Sequence, residues 1–252
     1  MKKRIFLAAA LAAAPLVAQV TETPVTMAPG KFLLRMDAVT VGVNRDRTEP
    51  NRYTALGLAS SILSIGMTEN VDVQVGAQFF VRTTYQLRGA RNSRSGWGDT
   101  SLRTKWRFWR DDQAGVSAAV IPFVKIPSKV TGIGNNHAEG GVIVPWLKTL
   151  GPGSEAGAMA EWDLVRNDDN DGYDSRWFAS AFVRQHIVGG FGAYAETTFA
   201  VSSASSSSFV GSAGAGVTFD FTKHFQADYG ISRGFGRRAT DWVNVLRIRW
   251  SF

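Results

Sequence analysis

The chain has 252 residues, no cysteine, and 28 Lys and Arg against 21 Asp and Glu, a net charge of +7. The lack of thiols excludes a disulfide framework and any thiolate metal site. So modest a cationic surplus, part of it in the first four residues, gives no ground for nucleic-acid binding.

Residues 1–18 read as a secretory signal: Lys2, Lys3 and Arg4 form the charged start, Ile5 to Val17 the apolar middle, and Ala18 the small residue at the cut. The apolar part is too short to cross a bilayer as a helix. Its removal leaves a mature chain, residues 19–252, with 25 cations against 21 anions, a net of +4. No run of about eighteen apolar residues occurs there, so helical membrane spans are excluded and any crossing is made by a closed barrel.

After a short polar lead, the mature chain breaks into segments of roughly ten to fourteen residues with period-two patterning, long enough to span a bilayer when tilted. They lie near 31–44, 53–66, 71–87, 97–110, 115–126, 140–149, 155–165, 176–187, 191–201, 209–221, 225–235 and 242–252. In the third, Val71, Val73, Val75, Ala77, Phe79 and Val81 share one face, and Asp72, Gln74, Gln78, Arg82 and Gln86 the other. A strand turns successive side chains to opposite faces, so each segment has an apolar and a polar wall. Short connections (Met67 to Asn70, Asp111 to Ala114, Leu150 to Ser154, Val188 to Gly190, Thr222 to His224) alternate with longer, polar ones such as Arg45 to Arg52, Arg88 to Gly96 and Pro127 to Glu139. That alternation predicts a single all-β domain over 19–252: a transmembrane, antiparallel, up-and-down β-barrel of about twelve strands, with short turns and both termini on the periplasmic side. Trp106, Phe108, Trp146, Phe219, Phe221, Phe225, Trp250 and Phe252 fall on the apolar phase near turns or ends, where ring side chains favour the headgroup zone. The competing architecture is a two-sheet sandwich with the same aromatics in its core.

Placing each polar phase in the lumen sorts the charges. Arg35, Arg82, Arg103, Lys105, Arg107, Lys125, Arg247 and Arg249 make a basic wall, opposed only by Asp37 and Asp72. Glu161, Asp163, Glu196, Asp220 and Asp228 make an acidic wall, opposed by Arg184. Two outcomes follow: long cationic side chains reach across and plug the lumen, or a transverse field crosses a water-filled passage and orients polar solutes.

The last strand ends on Phe252 with Trp250 two places before it, which resembles the closing strand of outer-membrane barrels and implies recognition by the barrel-insertion machinery. Phe225-Gln226-Ala227-Asp228-Tyr229-Gly230 with Gly234 and Asp241, Gly96-Trp97-Gly98-Asp99-Thr100, Phe123-Val124-Lys125-Ile126-Pro127 and Ala193-Tyr194-Ala195-Glu196 are similar to the outer-membrane family named for the meta-pathway of phenol degradation. That resemblance implies a transporter passing small organic compounds, aromatic ones among them, with lipid and lipopolysaccharide as surroundings and no cofactor. Asp99, Glu196 and Asp228 are expected to anchor Arg side chains.

Catalytic and metal chemistry find little support. His137, His186 and His224 fall at opposite ends of such a barrel, too far apart to share a metal or a triad. Asn167 through Asp169 and Asp171 to Gly172 imitates the start of an EF-hand, but the twelfth position is Phe178 instead of Glu. Asp169 and Asp171 are therefore expected in a solvated acidic loop, at most a weak divalent-ion site. The runner-up functions are a structural or surface-interaction barrel with a plugged lumen and, behind it, an outer-membrane hydrolase.

Overall fold

A computed structural model describes residues 20–45, 52–87, 90–131, 133–167, 171–203, 209–236 and 239–252. Its strands are β1 (Phe32–Arg45), β2 (Arg52–Thr68), β3 (Val71–Leu87), β4 (Ala90–Gly96), β5 (Thr100–Asp111), β6 (Val116–Ile126) and β7 (Glu139–Gly151). They continue as β8 (Ser154–Arg166), β9 (Tyr173–Val188), β10 (Phe191–Ser202), β11 (Val210–Thr222), β12 (Phe225–Phe235) and β13 (Trp242–Ser251). Every pairing is antiparallel, β1 zips to β13, and the β2–β3 pairing closes the ring. β4 and β5 share one place in that ring, because β4 pairs with the far half of β3 and β5 with its near half. Twelve staves result.

The break between β4 and β5 falls at Trp97–Asp99, where the Gly98 N–H donates to the Gln78 carbonyl at 2.9 Å. Residues 88–96 were expected as a loop; instead Ala90–Gly96 extends the β3 hairpin beyond the barrel wall. Nearly every residue of that arm is exposed, so it carries none of the apolar alternation by which a strand is read.

Burial separates a barrel from a sandwich. Val75 and Phe79, on the apolar phase of β3, are 43% and 46% exposed, whereas Asp72 and Gln74 on the polar phase are 1% exposed. A sandwich would reverse those numbers; an outer wall facing lipid and a lumen filled by polar side chains produces them. Rings form two girdles on that wall. At the short-turn end Phe191, Phe219, Phe221 and Phe225 touch in series at 4.6, 4.7 and 5.5 Å between centroids, and Phe252 lies 4.9 Å from Trp250 and 5.4 Å from Phe32. At the long-loop end Phe199, Phe209 and Phe235 cluster within 6.4 Å, with Trp162 and Trp177 6.3 Å apart. Phe191 and Phe199 stand at the two levels on β10, about 27 Å apart along the strand and about 20 Å along the axis at the usual tilt, close to the height of a bilayer's apolar band.

What fills the interior is not all polar. Ile121 and Phe123 of β6, Ile143 of β7 and Met159 of β8 form a buried apolar patch on the inner surface. β6 is apolar on both faces, so inward Ala119, Ile121 and Phe123 alternate with outward Val120, Pro122 and Val124 without any contrast that period-two patterning can detect.

Candidate functional site

The polar lead before β1 does not trail away from the barrel; it folds back into it. Ala28-Pro29-Gly30-Lys31 has the residue order of a type II turn, with Pro second and Gly third. The Lys31 N–H donates to the Ala28 carbonyl at 3.0 Å, and Gly30 takes φ +73°, a left-handed value open to glycine at no cost. The turn is fastened to the rim of β2: Gly30 N–H donates to Gly66 O at 2.9 Å and Gly66 N–H to Lys31 O at 3.0 Å. A Cβ on Gly66 would collide with the Ala28 carbonyl, so only glycine lets the segment lie this close to the strand.

From the rim the segment runs extended into the lumen, tied at each level. Thr26 Oγ1 donates to Glu69 O at 2.7 Å and the Met27 N–H to Asp72 Oδ1 at 2.9 Å. Lys105 Nζ donates to the carbonyls of Thr23 at 2.7 Å and Val25 at 3.3 Å. Pro24 is fully buried, Val20 packs on the apolar patch, and the Glu22 N–H points at Met159 Sδ, 3.1 Å away. At mid-height Glu196 receives the Val20 N–H, the Thr21 N–H at 2.8 Å and Thr21 Oγ1 at 2.6 Å, while Thr21 Oγ1 also meets Ser180 Oγ at 2.6 Å.

Neither expected arrangement of the charged walls is found: the segment stands between them and engages both. Its acid goes to the basic wall, where Arg35, Arg103 and Lys105 converge on Glu22 at 2.8, 3.1 and 3.8 Å. The Val20 and Thr21 N–H groups go to the acidic wall at Glu196. Burial by itself would raise the Glu22 carboxyl, but those three cations outweigh it and hold the group well below the usual carboxylate range.

Most of the remaining wall residues have local partners. Lys125 pairs with Glu139 at 3.6 Å; Arg107 bonds the β2–β3 turn through Asn70 Oδ1 and Glu69 O; Arg247 pairs with Asp37 at 2.6 Å; Arg82 is exposed. On the acidic side Asp163 binds Arg176, which also lies 3.8 Å from Glu161, and Asp220 accepts from Gln226 Nε2 at 2.6 Å. Asp228 is buried beside Tyr194, whose hydroxyl is 3.4 Å from Oδ1. Asp99 and Glu196 were expected to hold Arg side chains; both accept backbone N–H groups instead, Asp99 from Ser128 and Asn135 at 3.0 Å. Sequence reasoning passed over Glu22, Glu139, Glu155 and Arg176. Glu139, Glu155 and Arg176 lie at strand ends, where the phase is hard to set, and Glu22 lies in no strand.

Two neighbouring cavities lie inside the barrel. One, about 280 Å³, opens at the short-turn end between Ser154, His186, Thr218 and Asp220; the other, about 130 Å³, runs along Thr21, Thr23 and Val25. Glu155, Arg184, Gln226 and Arg249 line both. Elsewhere, Asp171 is bonded to Asn167 within its own exposed turn, Asp169 lies outside the described residues, and the described residues hold no cluster of metal-ligating side chains. His186 and His224 are exposed at the short-turn end, while His137 lies in the loop between β6 and β7 at the other.

A family model described as "Putative MetA-pathway of phenol degradation" matches residues 28–252. No curated protein sequence matches the chain. Among solved structures, the COG4313 outer membrane channel from Pseudomonas putida F1 superposes with a TM-score of 0.69 at 11% identity, over 92% of this chain and 98% of that one. The beta domain of the Bordetella autotransporter BrkA does so with 0.56 at 13% identity, over 90% and 100%. The CymD monoaromatic hydrocarbon channel gives 0.50 at 10% identity, over 89% and 88%. At such identities these likenesses establish the barrel fold.

Proposed function

The chain belongs to the phenol-degradation MetA-pathway family, and on that premise we propose that it is a passive channel of a Gram-negative outer membrane. Small organic solutes, aromatic ones among them, diffuse past a charged lumen with no energy input and no cofactor. Both termini and the short turns face the periplasm, the apolar wall meets lipid, the long loops lie among lipopolysaccharide, and Trp250 and Phe252 are read by the insertion machinery. The observation that carries this reading is the space left inside a closed barrel, two cavities lined largely by polar groups, one of them bordered by Thr21, Thr23 and Val25 of the N-terminal segment. That one of the similar structures is described as a monoaromatic hydrocarbon channel supports the solute class. The test is single-channel recording in planar bilayers. Discrete conductance steps, with ion selectivity altered when Arg103, Lys105 and Arg107 are neutralised together, are expected; a folded barrel that never conducts would refute the channel.

The occupied lumen favours a second reading, a barrel permanently closed by its own N-terminal segment, whose function lies in its outer loops. Conductance separates the two. A hydrolase is disfavoured by His137 lying at the end of the barrel opposite His186 and His224.

A further inference from the structure

Two successive inward rungs across β12, β13 and β1 are charged in opposite ways. On one, Arg247 stands between Asp228 and Asp37, an acid on either side. On the next, Arg249 stands between Gln226 and Arg35. Like charges directly opposite on neighbouring strands repel, and the two cations of this rung fare differently. Arg35 is compensated by Glu22 at 2.8 Å. Gln226 turns its amide to Asp220 at 2.6 Å. Of the other carboxylates lining the cavities, Glu155 is engaged by Arg184, Asp72 accepts the Met27 N–H, and Asp228 lies opposite Arg247 and 3.4 Å from the Tyr194 hydroxyl. Among the described residues Arg249 has no carboxylate within 4.0 Å, although it lines both cavities. A half-buried guanidinium next to a second cation, facing open volume, is a locus that favours an anion.

What surrounds it defines the rest of that anion. Leu33, one rung further along β1, Leu147 from the facing wall and Val25 of the N-terminal segment line the same cavity. We propose that Arg249 and these three apolar side chains form a subsite for small organic monocarboxylates, the carboxylate forked onto the guanidinium and an apolar body lying on Leu33, Leu147 and Val25. The proposal deepens the channel reading by naming its solute class, and rests on that reading only for its role in transport. The cavity these side chains line, about 130 Å³, is smaller than the roughly 300–1,000 Å³ of drug-sized ligand pockets and limits the acid to a single ring. Arg249 is the specificity-determining residue: a neutral isostere of the same shape leaves the guanidinium unpaired and loses the charge-assisted pair.

Equilibrium binding of benzoate and of benzamide to the detergent-solubilised full chain tests this, with Arg249→Gln, Arg249→Lys and, as control, Arg82→Gln, folding being checked by heat-modifiable gel migration. The expected result is saturable benzoate binding, a roughly 10- to 100-fold rise in Kd in Arg249→Gln, a smaller rise in Arg249→Lys, no change in Arg82→Gln, and weak binding of benzamide. No saturable benzoate binding, equal affinity for benzoate and benzamide, or unchanged affinity in Arg249→Gln overturns the subsite. Should Arg249→Gln fail to fold, the benzoate-to-benzamide ratio on the unaltered chain decides. Bilayer recordings made alongside keep the two ideas apart: conductance without benzoate binding sinks the subsite alone, and benzoate binding without conductance sinks the channel alone.

Discussion

Replacing Glu22 with Gln removes a carboxylate on which three cations converge, Arg35 at 2.8 Å, Arg103 at 3.1 Å and Lys105 at 3.8 Å. At an effective dielectric of about 20, pairs at such separations attract by about 4–6 kcal/mol each before desolvation is subtracted. The cations remain after the substitution and face one another, and leaving buried charge uncompensated in this way costs about 3–5 kcal/mol. That is between about two and four powers of ten in the ratio of released to seated N-terminal segment. Hydrogen exchange followed by mass spectrometry reads this ratio at the Thr21 and Met27 amides, which donate to Glu196 and Asp72 in the native barrel. Their protection should fall by that factor while amides in β3 and β12 keep theirs, and single-channel traces should show larger or noisier openings. Unchanged protection at Thr21 and Met27, or a fall shared equally by the strands, would refute the assignment of Glu22 as the tie between segment and wall.

Glu196→Gln should act on the tip of the segment only: a neutral amide accepts from Val20 and Thr21 more weakly, so Thr21 exchange accelerates by roughly 10-fold while Met27 is unaffected. Gly66→Ala should dislodge the entry turn, since its methyl overlaps the Ala28 carbonyl; protease access to residues 20–31 is the readout, and resistance equal to the native chain would count against the packing described. With acid, the sign follows from the lowered Glu22 carboxyl: its contribution is complete above an ordinary glutamate pKa of about 4.3 and is lost only as pH falls through the depressed folded value. The side-chain carboxyl carbon resonance of Glu22 should therefore show no titration between pH 7 and pH 5, and a midpoint inside that window would show that Glu22 is not held by its cations.

β3 and β12 fall at the residues their alternation predicts, Val71–Leu87 and Phe225–Phe235, because each has lipid on one side and polar lumen on the other, the contrast that period two reports. Membership of the basic wall was legible for the same reason at Arg35, Arg103 and Lys105. What those cations bind was not. Val20-Thr21-Glu22-Thr23-Pro24 has no periodicity and is anchored largely through backbone N–H and C=O groups, which every sequence possesses and none advertises. The apolar inner patch escaped for the opposite reason, since Ile121 and its outward neighbours are alike in hydrophobicity and differ only in what they face. β4, exposed on both sides, has no pattern for any environment to impose.

The seam that makes the barrel a ring joins β1 to β13, and the residues held inside come immediately before β1 in the chain. Assembly therefore has two routes open to it: the leading peptide is gathered in before that seam zips, or is threaded afterwards through a mouth already crowded with side chains. A folded reporter or bulky affinity tag fused ahead of Val20 would have to share the bore with the segment or hold the seam apart. Labels meant to leave the barrel native belong instead on the outward arm of β3 and β4.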